Sequence, residues 1–131
     1  MLAVLISPPG KGALAVLHVC GDGAKALVAR LFGRDPLPAL RVGFLIDDGV
    51  RLDEVLVRTT EGYSGEETVE ITCHGGAAVV ERILGALTKA AGNASTGLQV
   101  VFGAGAVAVP VAGYFMGRAA DRHTITYVIA P

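Results

Sequence analysis

A carboxylate and an imidazole lie four positions apart in the run Tyr63-Ser64-Gly65-Glu66-Glu67-Thr68-Val69-Glu70-Ile71-Thr72-Cys73-His74-Gly75-Gly76. Thr68, Glu70, Thr72 and His74 alternate with Val69, Ile71 and Cys73, the period of a half-buried strand with one apolar and one polar face. On that polar face the Glu70 carboxylate can accept two parallel hydrogen bonds from an amidine-like edge, such as the N–H and amino group of a pterin or guanine. The alternative use of Glu70 is an exposed strand glutamate paired to a nearby lysine or arginine. Gly75-Gly76 then turns the chain into a helical pattern, whose first N–H groups lack intrahelical partners and can receive an anion or a polar group.

Other chemistry finds less support. His18 and His74 have no cysteine or aspartate at metal-ligand spacing, so each is expected to be a hydrogen-bonded histidine at the core edge rather than part of a zinc site. Ser7, Ser64 and Ser95 lack the pattern of a nucleophile elbow. Pro8-Pro9-Gly10-Lys11-Gly12 is glycine-rich and basic, but no Lys-Ser/Thr pair follows it and it does not fit a phosphate-binding loop.

The elements that position these groups are those of one domain. The chain has 131 residues, 52% apolar, with 18 Gly and 6 Pro, which fits a globular, turn-rich domain. A net charge of −1 leaves no electrostatic footprint for nucleic acid and no polybasic membrane patch. Cys20 and Cys73, each at the end of an apolar strand pattern, read as small buried thiols in a reducing compartment. The apolar opening from Met1 to Ile6 lacks a basic flank and stops at Pro8-Pro9, so it is not a signal peptide, and the cytoplasm is the expected location.

Leu2 to Ile6 reads as a buried strand and Ala13 to Cys20 as a second, with His18 on the same face as Leu14, Val16 and Cys20. That second strand is apolar at nearly every position except His18, which predicts a central strand covered on both sides. Asp22 is a candidate N-cap for a helix over 24–32, with Ala24, Leu27, Val28 and Leu31 as its buried stripe and Gly33 as its stop. Asp47-Asp48-Gly49 predicts a hairpin between strands over 40–46 and 52–60. A second helix is expected from Ala77 to about Ala90, with Val79, Val80, Ile83, Leu84 and Leu87 inward. The order β-β-α-β-β-β-α argues for an α+β domain, a mixed β-sheet with two main helices on one face.

The last third differs. Residues 90–117 include no charged residue, and Gly103, Gly105, Pro110 and Gly113 interrupt the apolar run. Those interruptions weigh against a membrane span, and a β-hairpin or irregular tail covering a sheet edge is expected, with a last strand near Thr124 to Ile129.

Ser7-Pro8-Pro9-Gly10-Lys11-Gly12, the strand that follows it, and Tyr63-Ser64-Gly65-Glu66-Glu67 with Glu70 and His74-Gly75-Gly76 together resemble the N-terminal domain of the tRNA-modification GTPase family TrmE, also called MnmE. The resemblance runs in order over roughly residues 1–90 and includes the helix at 24–32 and the hairpin at 47–49. It implies a domain similar to the folate-binding part of aminomethyltransferases. Such a domain binds a 5-formyltetrahydrofolate-type one-carbon donor and forms a homodimer. Its family modifies the wobble uridine of certain tRNAs together with a flavin-dependent partner protein.

Carried over by position, Glu70 falls on the family's folate-contacting glutamate, and His18 falls where the family usually has an arginine. An imidazole offers one donor where arginine offers a charged fork, so weaker affinity is expected. Lys11 matches a basic position of the loop, and the Gly75-Gly76 helix start completes the expected pocket. The family's later Pro-Gly-Glu-Phe and Arg-Ala-Phe motif is absent from these residues, as are a phosphate-binding loop and a C-terminal catalytic cysteine motif. GTP hydrolysis is therefore expected from a separate GTPase, and the chain by itself is not a complete enzyme. The expected organisation is a folate-binding domain over 1–96 and a divergent Gly/Ala-rich segment over 97–131 packed on it. Two further readings stand beside this one: a structural or assembly domain that has lost the ligand, and an independent one-carbon transferase, for which only His18 and His74 could act as acid or base.

Overall fold

Strands with one apolar face and helices with one apolar stripe bury both only by stacking in two layers. The computed structural model describes residues 1–7, 12–62, 65–92, 99–102 and 127–129. Its strands are β1 (Leu2–Leu5), β2 (Leu14–Cys20), β3 (Arg41–Asp47), β4 (Val50–Glu61), β5 (Glu67–His74), β6 (Gln99–Phe102) and β7 (Tyr127–Ile129), and its helices are α1 (Ala24–Phe32) and α2 (Ala77–Ala91). They form one sheet in the order β3-β4-β5-β2-β1-β6-β7. The first five are antiparallel neighbours, while β6 runs parallel to β1 and β7 parallel to β6. The domain is α+β with a mixed sheet, as its pattern of elements implied.

The core lies between the two helices and one sheet face. Leu17 and Val19 of β2, Val69 and Ile71 of β5, and Val55 and Val57 of β4 are buried there against Val28 of α1 and Ile83, Leu84 and Leu87 of α2. The expected stripe of α1 is all buried, whereas Val79 of α2 is only partly so. The other sheet face is not covered to the same degree. In β2 only Ala15, Leu17 and Val19 are buried, while Leu14 is exposed and Val16, His18 and Cys20 are half-buried. The expectation of a strand covered on both sides is thus corrected: β2 is central in the sheet, but both helices lie on its odd-numbered side.

The start of α1 also differs from expectation. The capping position is Gly23, with φ 89°, which has no side chain to cap the helix. The free N–H of Lys25 instead donates to the Glu67 carboxylate at 2.6 Å. Gly21 N–H donates to the Glu67 carbonyl at 2.8 Å, so β5 brings an acceptor to a helix end that Asp22 was expected to serve.

The hairpin between β3 and β4 forms where expected. Asp48 (φ 49°) and Gly49 (φ 78°) are both left-handed, as a two-residue type I′ turn requires. The register slips once between Leu45 and Ile46, which pair with Asp53 and Arg51, so Leu52 is the extra residue of a bulge. In the last third, β6 and β7 lie side by side and parallel, which excludes a direct hairpin between them. Of the expected last strand, Tyr127–Ile129 is present and residues 124–126 lie outside the described set. Among the described residues no helix is long and apolar enough to cross a membrane.

Candidate functional site

The register of three adjacent strands sets a polar row on the sheet face opposite α1 and α2. Arg58 of β4 pairs with Glu70 of β5, Glu70 pairs with His18 of β2, and His18 pairs with Val4 of β1. Paired residues point to the same side of a sheet, so the three polar side chains meet. His18 Nε2 lies 2.9 Å from Glu70 Oε2, and Arg58 Nε donates to Glu70 Oε1 at 2.9 Å. A carboxylate only accepts, so His18 Nε2 carries the proton in this contact.

The Glu70 side chain is 19% exposed and that of Arg58 47%. Burial pushes the Glu70 carboxyl up, but the hydrogen bonds and positive charge of Arg58 and His18 outweigh it and hold the group below its ordinary value. The ionised carboxylate is a double acceptor with each oxygen already engaged once. Each oxygen retains a second lone pair, so a planar donor edge can share it or displace the half-exposed Arg58.

Among the residues singled out from sequence, the structure brings His18 and Glu70 into contact. Gly75 and Gly76 lie beyond the other end of β5, about 16 Å or more from Glu70 at roughly 3.3 Å per strand residue. Lys11 lies outside the described residues. Its neighbour Gly12 is held against Gly75, with Gly12 N–H to Gly75 carbonyl at 3.4 Å and Gly75 N–H to Ala13 carbonyl at 3.0 Å. A Cβ on Gly75 would stand 2.2 Å from the Gly12 carbonyl oxygen, so this position admits only glycine without displacement. Gly76 precedes α2 in extended conformation, with no side-chain cap.

Two residues of the site were not singled out by sequence reasoning. Arg58 was legible only as a polar member of an alternating strand, although a basic partner for Glu70 was one of the two uses considered. Asp53 gave no signal. It sits beside the bulge and binds His74 twice: its Oδ2 accepts the His74 backbone N–H at 2.8 Å, and its Oδ1 lies 2.7 Å from His74 Nδ1. Next to this pair an open cavity of about 290 Å³ is lined by Leu14, Val42, Glu54, Leu56, Thr72 and His74, together with the buried Cys73 and Val55. Burial, and after it the Asp53 charge, pushes the Cys73 thiol up to about 11, which leaves it protonated and without nucleophilic character at neutral pH.

Residues 1–119 match the family model described as the GTP-binding protein TrmE N-terminus. The chain belongs to the TrmE N-terminal family. Curated relatives of this TrmE N-terminal domain carry the name tRNA modification GTPase MnmE. That of Moorella thermoacetica is 41% identical over 96 residues, covering 63% of this chain and 21% of the relative. That of Caulobacter vibrioides is 43% identical over 89 residues, covering 65% and 20%. That of Christiangramia forsetii is 34% identical over 99 residues, covering 67% and 21%. The chain therefore spans about a fifth of the length of the curated relatives it matches.

Proposed function

We propose that this TrmE N-terminal domain is a folate-binding, dimerising module serving tRNA modification, with 5-formyltetrahydrofolate or a close relative as ligand. The observation that carries the proposal is the ionised Glu70 carboxylate on the sheet face opposite the helices, in a member of a family whose relatives are named for tRNA modification. Glu70 would accept the N–H and amino donors of the pterin edge. His18 would fix the carboxylate from the other side through Oε2. Arg58 is the second cation of the site and the group a ligand would share Glu70 with or displace.

Self-association has a physical motive at the β3 edge. Leu40, Val42, Ile46 and Val50 are between 42% and 57% exposed there, and an edge strand with apolar side chains favours a partner. The 131 residues contain no phosphate-binding-loop pattern, so we assign the GTP hydrolysis in the relatives' name to another segment or chain, and the redox step of the modification to a flavin-dependent partner.

The test is isothermal titration of the chain with 5-formyltetrahydrofolate, with Glu70→Ala as control and circular dichroism to establish its fold. Saturable binding lost in the folded variant supports the module, and equal binding by the variant overturns the role of Glu70.

One observation favours a second reading. Both Glu70 oxygens are already engaged within the chain, which is the state of a carboxylate that serves the sheet rather than a ligand. In that case the domain is an assembly unit. It would show no heat with millimolar folate and a concentration-dependent dimer in sedimentation, and a monomer throughout would reject this second reading.

A further inference from the structure

We infer that the free edge of β3 is a self-complementary pairing surface, and that the Arg34 side chain holds it shut against β3 of a second copy of this chain. The inference rests neither on the folate reading nor on Glu70. It starts from the place of β3 at the end of the described sheet, with β4 as its neighbour. The two-residue turn at Asp48-Gly49 makes Asp47 and Val50 a hydrogen-bonded pair. Alternation back along β3 then turns the N–H and C=O groups of Ile46, Phe44 and Val42 away from β4, toward the open edge. Val42 and Ile46 also carry apolar side chains that are 57% and 42% exposed. Such an edge is a template for another strand.

The strand that fits this edge is its own copy. Antiparallel pairing centred on Phe44 sets Phe44 opposite Phe44 and Val42 opposite Ile46, so each outward-facing residue meets another and the ladder can close. In the same register Arg41 stands opposite Asp47 of the second copy at both ends, joining opposite charges, while Val42 and Ile46 join two apolar side chains. A slip of one residue would set outward groups against inward ones and lose the ladder. A slip of two would keep the ladder but separate Arg41 from Asp47.

Arg34 interrupts that template. Helix α1 ends at Phe32, and the left-handed Gly33 (φ 71°) turns the chain there. The Arg34 guanidinium comes back over the buried Phe32 ring, 4.7 Å from its centroid, and is held by that stacking. From this position Nη2 donates to the Val42 carbonyl at 2.5 Å. The same carbonyl is the acceptor for Ile46 N–H in the self-paired register, so one Arg34 in each copy takes an acceptor from each outer pair and leaves a cation in the seam. The space is reserved for it: a Cβ on Gly43 would stand 2.5 Å from Arg34 Nη2 and 2.5 Å from Phe32 Cε2. With the backbone edge closed, association of the intact chain is left to side chains.

The experiment compares amide hydrogen exchange of the intact chain, read by NMR, in the wild type and Arg34→Ala at low and high protein concentration, with sedimentation of the same samples. Arg34 is exposed, so its truncation leaves the core untouched. In the wild type the amides of Val42, Phe44 and Ile46 are expected to exchange rapidly at both concentrations. In Arg34→Ala they become protected at the higher one, and self-association sets in at about tenfold lower concentration, the worth of the hydrogen bonds regained. Arg34→Lys, which keeps the charge but loses the planar stack on Phe32, should move both readouts the same way by less. Adding Phe44→Pro to Arg34→Ala removes the central N–H, a change that an edge strand tolerates, and should restore wild-type sedimentation. Wild-type behaviour of both Arg34 variants, or protection of the three amides in the wild type, overturns the inference. A wild-type dimer whose three amides stay unprotected supports it, since such a dimer is not built on the backbone edge. Folate titration should be the same for the wild type and Arg34→Ala, so failure of either reading leaves the other standing.

Discussion

His18 and Glu70 face each other across β2 and β5 with Nε2 and Oε2 2.9 Å apart, although 52 residues separate them in the chain. Arg58 meets the second Glu70 oxygen at the same distance of 2.9 Å. The carboxylate is thereby held between two strands, and most of what the site is expected to do follows from how these three groups share charge.

Stability should depend on pH through Glu70. Its folded value is depressed below the ordinary 4.5, so its contribution is present above that value and is lost as pH falls through the lower folded value. Urea unfolding of the wild type and of Glu70→Gln should differ by about 1 kcal/mol at pH 7. The difference should shrink toward zero below pH 4.5, with His18 and Arg58 as the facing cations. A gap that stays constant down to pH 3 would show that ionisation of Glu70 does not contribute.

Replacing His18 by arginine tests whether the imidazole limits affinity. Arginine adds a charged, forked donor where the imidazole has one N–H in contact with Glu70. If the folate proposal holds, His18→Arg should tighten 5-formyltetrahydrofolate binding by about tenfold, the worth of one further charge-assisted hydrogen bond. Titration calorimetry reads this directly, and unchanged affinity would place the ligand away from β2.

The two glycines after β5 should respond differently. A Cβ on Gly75 would approach the Gly12 carbonyl oxygen to 2.2 Å, whereas one on Gly76 has Val79 Cγ2 at 3.9 Å as its nearest neighbour. Gly75→Ala should destabilise the fold by about 2 kcal/mol, because backbone rather than a flexible side chain must move. Gly76→Ala should cost less than about 1 kcal/mol, the difference between glycine and alanine at a capping position. Thermal melts of the two variants side by side decide this, and equal losses would count against the close packing of the Gly12 segment.

The cysteines should also separate. Cys73 is 1% exposed with its thiol pushed up to about 11, while Cys20 is partly exposed. Native protein treated with a thiol reagent at pH 8 should release one equivalent rapidly, from Cys20, and the second only on unfolding. Rapid labelling of Cys73 in the folded chain would show that the end of β5 opens readily.

Much of the scaffold was legible without coordinates, because it depends on neighbours in the chain. The stripe Ala24, Leu27, Val28 and Leu31 has the helical period, and its four members are buried. Asp48-Gly49 tolerates the two left-handed conformations of a tight hairpin. The alternation from Thr68 to His74 separates Val69, Ile71 and Cys73, all buried, from Glu70 and His74 on the other face. By itself the sequence therefore determined the elements, which face of β5 is polar, and that Glu70 and His74 stand on it. Only the tertiary structure decided who meets them. The registers of β2 and β4 on β5 select His18 and Arg58, the bulge at Leu52 turns the chain beside Asp53, and Glu67 replaces Asp22 at the start of α1. A slip of one residue in either pairing would send those side chains to the helix side. Register is set by the burial of whole apolar faces distant in sequence, a sum over the fold that no local pattern contains.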